Sequence, residues 1–89
     1  MSDFENAVGV IEALKGAERA PTQTALATLN GLFGLVQADR VQSLEIEEAR
    51  ADAFLAICEV GKALHRGKPA DHLWRSAIGA AERWMSLAG

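Results

Sequence analysis

Cys58, His65 and His72 recur at intervals of seven. That spacing puts the thiol and the first imidazole on one side of a helix, and lets the second imidazole fold back across the turn that follows. Three ligands of this kind are zinc chemistry. The spacing argues against it, because no pair has the short separations of a metal motif and a fourth ligand is missing. Cys58 therefore reads as a small core hydrophobe, His65 and His72 as hairpin-end residues, and no metal or other cofactor is expected. A Cys–His nucleophile fails for a related reason: a thiol among Leu, Ile and Val stays neutral and inert.

Carboxylates cluster at Glu45, Glu47 and Glu48. General acid–base work needs surroundings that shift a pKa, and an acidic first helical turn provides none, so a solvated face is the better reading. Gly31-Leu32-Phe33-Gly34 lies within a helical pattern and lacks the preceding strand and the Lys of a phosphate loop. No Ser-His-Asp arrangement or dinucleotide fingerprint occurs. The chain is expected not to be an enzyme.

Cations gather later, at Lys62, His65, Arg66, Lys68, His72 and Arg75. They complement the carboxyl end of a helix dipole, and they could also hold a nucleotide-like anion, with Arg66 and Arg75 as bidentate donors. Charge is unevenly spread: residues 1–59 carry four cations against ten acids, residues 60–89 five against two. Internal pairing of acidic helices with a basic hairpin explains this most simply, and a polarity presented to a partner is the alternative. The segment after the most suitable turn, Glu45 to Asp52, is acidic where a DNA-recognition helix is basic, so direct nucleic-acid binding is not expected.

The elements that must position these groups are helical. Strings of Val, Ile and Thr are absent, Ala is the commonest residue, and Arg outnumbers Lys, a usage that fits a GC-rich bacterial or phage genome. Ser2 and Glu5 form a capping-box pattern, and Phe4, Val8, Ile11 and Leu14 then recur at helical spacing. Helix one should run from Asp3 to Lys15 and stop at Gly16. Pro21 opens helix two, which carries Leu26, Leu29, Phe33 and Val36; Gly31 and Gly34 in its middle imply close approach of another helix, or a kink. The break before helix three should fall between Ala38 and Ser43, with Asp39 or Ser43 as cap.

Helix three is expected over Leu44 to His65 or Arg66, ended by Gly67, and helix four over Pro69 to Leu87, so the two form an antiparallel hairpin. Residues 53–64 are the most apolar stretch, with Phe54, Ile57, Gly61 and Leu64 on one stripe and Leu55, Cys58 and Ala63 beside it. Such a helix should be surrounded by the others. Helix four presents Trp74, Ile78, Ala81 and Met85 on one stripe and Leu73, Ala77, Trp84 and Leu87 on the next, a face too wide for one helix contact.

The fold class is therefore all-α, a four-helix bundle in a single domain of 89 residues. Apolar surface should be left over on the carboxy-terminal hairpin, which points to self-association and to a partner-binding face made of Leu73, Trp74, Trp84 and Met85 with the acids Glu45, Glu47 and Glu48. The expected function is a small interaction protein that occludes a surface of a larger complex, an inhibitor or adaptor such as a phage anti-defence protein. The alternative is an oligomeric module that takes an anion at the basic hairpin tip. The amino terminus lacks a signal peptide's basic and apolar regions, and no apolar run reaches the ~20 residues of a membrane span, so a cytoplasmic protein is expected.

Overall fold

The computed structural model describes residues 2–37 and 43–89. Four α-helices make up the described fold: α1 (Asp3–Glu18), α2 (Thr22–Leu32), α3 (Leu44–His65) and α4 (Asp71–Ala88). Among the described residues there is no strand, and no helix is long and apolar enough to cross a membrane. Each helix packs on two others, α1 on α2 and α4, α3 on α2 and α4, so the four close into a ring. The body measures 37 × 19 × 17 Å, its length set by α3, whose 22 residues span about 33 Å at 1.5 Å each.

Local chemistry accounts for most helix ends. The Glu5 amide donates to Ser2 Oγ at 3.2 Å, and that hydroxyl reaches back to Glu5 Oε1 at 3.4 Å. Ser43 caps α3 in the same way, accepting from the Ile46 amide at 3.2 Å. At the other end of α3, Gly67 turns left-handed at φ 65°, the Gly67 amide donates to the Leu64 carbonyl, and the Lys68 amide donates to the Ala63 carbonyl. This is the closure in which glycine alone escapes the Cβ penalty.

Three boundaries depart from the sequence reading. α1 continues through Gly16 to Glu18 because Ala17, one turn beyond Leu14, is buried in the core; an isolated glycine costs about 1 kcal/mol in a helix, which this burial helps to offset. α4 begins at Asp71, since Gly67 and Lys68 are used to close α3 and Pro69 is left as an extended spacer; Ala70 supplies the first carbonyl, to the Trp74 amide. α2 ends at Leu32, well before the expected break, and residues 33–37 follow as turns. A Cβ at Gly31 or Gly34 would meet nothing within 4 Å, so close helix approach does not explain the pair. The helix stops between the two glycines, where propensity is weakest. The expected break at Ala38 to Ser43 lies largely outside the described residues.

The hub is α4 rather than α3. Its apolar face centres on one stripe: Trp74, Ala77, Ala81 and Trp84 are buried where α1 and α3 both pack on the helix. α3 turns Ala49, Ala53, Ile57, Val60 and Ala63 inward. Phe54 and Leu55, placed in the core by hydrophobicity, are 36% and 60% exposed. The alanines win because helices that touch along small residues approach closely, and the tryptophans of α4 then fill the remaining volume.

Candidate functional site

α2 is half the length of α3 and meets it over the smallest contact in the ring, so the seam between them stays open. It forms a groove of about 460 Å³, within the range of ligand-binding clefts. Leu26, Leu29, Asn30 and Phe33 of the α2 side face Ile57, Cys58 and Gly61 of α3, while Lys62, His65 and Arg66 stand at one end. At the other end Phe33 meets Phe54 edge to face, ring centroids 5.5 Å apart and planes at 60°. The groove thus has an apolar floor, an aromatic end and a cationic mouth.

Arg50 holds the far end together. Its guanidinium donates to the Val36 carbonyl at 2.8 Å and to Glu47 Oε2 at 3.1 Å. One side chain therefore ties the turn after α2 to α3, and Val36 is buried beneath it. Leu35, in the same turn, lies over Gly9 of α1, where an added Cβ would meet its Cδ1 at 3.6 Å.

The expected partner-binding residues do not form one face. Trp74 and Trp84, at 4% and 0% exposure, are core; surface contact through them is corrected, because α1 and α3 cover both. Leu73 and Met85 are half-buried against that core. Glu47 is half-buried in its pair with Arg50, whereas Glu45 and Glu48 are exposed at the start of α3. Exposed large apolar side chains lie elsewhere: Leu44 and Leu55 on the outer side of α3, Phe54 beside Phe33, and Phe4 and Leu87 on α1 and α4.

The basic cluster divides as well. Lys62, His65 and Arg66 belong to the groove; Lys68 in the link and His72 and Arg75 on α4 are exposed and are not part of its lining. Cys58 and His65 line the groove without His72, and among the described residues no three of Cys, His, Asp and Glu gather as metal ligands would. Sequence reasoning missed Leu26, Asn30 and Phe33 as lining. The available signal was the glycine pair, which marks where α2 stops short of covering α3. No protein-family model matches the chain, and no curated protein or solved structure matches it either.

Proposed function

We propose that this chain is a non-catalytic, self-associating interaction protein whose α2–α3 groove receives a segment of another protein, apolar along its length and acidic at one end, so that the partner's surface is occluded. The observation that carries this reading is the groove's lining: apolar side chains on both walls leading to Lys62, His65 and Arg66 at one mouth. Cations at the rim of an apolar cleft select a carboxylate-bearing occupant and set its direction. The basic hairpin tip proposed for a free anion supplies three of its members to the same mouth, which also admits a nucleotide-like ligand as the second reading.

Gly61 allows a direct test. A Cβ there meets nothing within 4 Å, so the Gly61→Leu side chain starts into open space on the groove wall, and replacing a helical glycine raises helix propensity by roughly 0.5–1 kcal/mol. The variant should melt no lower than the parent. In pull-downs from the native cell, partners bound through the groove should fall about tenfold or more with both Gly61→Leu and Arg66→Glu, the latter loss corresponding to a charge contact of about 1.4 kcal/mol. Capture unchanged by both substitutions would reject the groove. A nucleotide that raises the melting temperature, with the shift abolished by Arg66→Ala, would move the assignment to the small-anion reading.

A further inference from the structure

The solvent face of α3 carries a second pattern, which borders the groove and shares Cys58, Lys62 and His65 with its lining. Leu44, Glu48, Ala51, Leu55, Cys58 and Lys62 follow one another at alternating steps of four and three, and His65 continues the series. This is the spacing of a helix-pairing seam. None of these residues is buried, and among the described residues Leu44 and Leu55 are the two most exposed large apolar side chains, at 73% and 60%. The seam lies opposite the buried Ala53 and Val60; Leu44, Glu48 and Leu55 on it are exposed, Ala51 and Cys58 half-buried.

The series is symmetric about its middle. Outward from Leu55, Ala51 stands opposite Cys58, Glu48 opposite Lys62, and Leu44 opposite His65. A two-fold interface requires this self-complementarity, since any residue that touches another must be touched by it in return. We infer that two copies of this chain pair through α3, antiparallel, about an axis at Leu55. Leu55 then meets the partner's Leu55, and Glu48 pairs with the partner's Lys62 at two equivalent places. Ala51 faces the partner's Cys58, and these small side chains let the helices come close enough for the leucines to touch.

Charge also selects the direction. Parallel pairing would set Glu48 against the partner's Glu48 and Lys62 against the partner's Lys62, whereas the antiparallel arrangement makes both contacts attractive. The flank brings one like-charged approach, Asp52 towards the partner's Glu59. Within each copy these acids already have cations beside them, Arg83 at 3.8 Å from Asp52 and Lys62 at 3.4 Å from Glu59.

This inference gives a surface to the self-association proposed above and rests on that part of the reading; it shares Lys62 with the groove mouth, so its readout is the oligomeric state and not capture of a groove occupant. Sedimentation of the intact chain should give about 19 kDa, twice the 9.5 kDa of one copy. Leu55→Glu, at an exposed site, should yield a folded monomer. Glu48→Lys and Lys62→Glu should each weaken the dimer at least tenfold, and the double variant Glu48→Lys/Lys62→Glu should recover most of that loss. Leu55→Cys in a Cys58→Ser background should cross-link on oxidation. The parent should not, since two Cys58 would lie about 9 Å apart along the pair, at 1.5 Å per residue, beyond the ~7 Å reach of a disulfide. A parent chain that sediments as a monomer up to its solubility limit overturns the inference, as does a double variant no tighter than the single ones. Groove-dependent capture by a monomeric chain would leave the partner reading intact.

Discussion

Trp84→Ala is expected to destabilise the protein by about 3–5 kcal/mol, the usual cost of emptying a large aromatic site. Trp84 is the largest fully buried side chain, at 0% exposure on the helix that packs against both α1 and α3. A domain of this length has roughly 4–13 kcal/mol of stability in all, at 0.05–0.15 kcal/mol per residue. Truncation therefore removes a large share of it. Trp84→Phe should lose much less, about 1–2 kcal/mol, because it keeps most of the ring volume, and the absolute loss is reduced further by removal of an unpaired donor. The Trp84 indole N–H is buried with no hydrogen-bond acceptor among the described residues, and an orphaned donor costs about 1–3 kcal/mol that neither phenylalanine nor alanine incurs. Urea unfolding followed by far-ultraviolet circular dichroism separates the two variants. A loss of about 3 kcal/mol or more for Trp84→Phe would show that the orphaned N–H carries no penalty.

Arg50→Ala is expected to cost about 2–3 kcal/mol, although the residue is polar and lies outside the core, because hydrogen bonds to charged groups are worth roughly 1.5–3 kcal/mol. Its bond to the Val36 carbonyl joins chain segments 14 residues apart and is partly sheltered from water. Glu47→Gln removes only the neighbouring ion pair, one turn away on the same helix, and should cost no more than about 1 kcal/mol. Denaturant midpoints for the two variants should therefore differ clearly. Similar midpoints would mean that the Val36 tether contributes nothing.

The helix count and three helix termini were readable because each has a short-range chemical signature: Ser2 with Glu5, Ser43 before its acids, and Gly67 after the cations of α3. What could not be read was which face of α3 turns inward. Phe54 and Leu55 outrank Ala53 and Ala63 in hydrophobicity, yet the alanines are buried, since closeness of approach to α4 is a property of the pair of helices and not of either sequence alone. The same limit explains the tryptophans. Their face on α4 is indeed wider than one neighbour needs, and it serves two. The groove was half legible: its cations stood out as a cluster, but its floor depends on where α2 stops, and the glycine pair suits close packing or a kink as readily as a helix end.

A ring of helices gives way first at its thinnest join. α2 has 11 residues and lies on the smallest of the four contacts, so its amides should exchange with deuterium sooner than those of α4, which only global unfolding releases. Partial release of α2 would bare Ile57 and the α3 wall of the groove while leaving the α1–α4–α3 layer assembled, allowing an occupant wider than the resting cleft to enter without the fold coming apart.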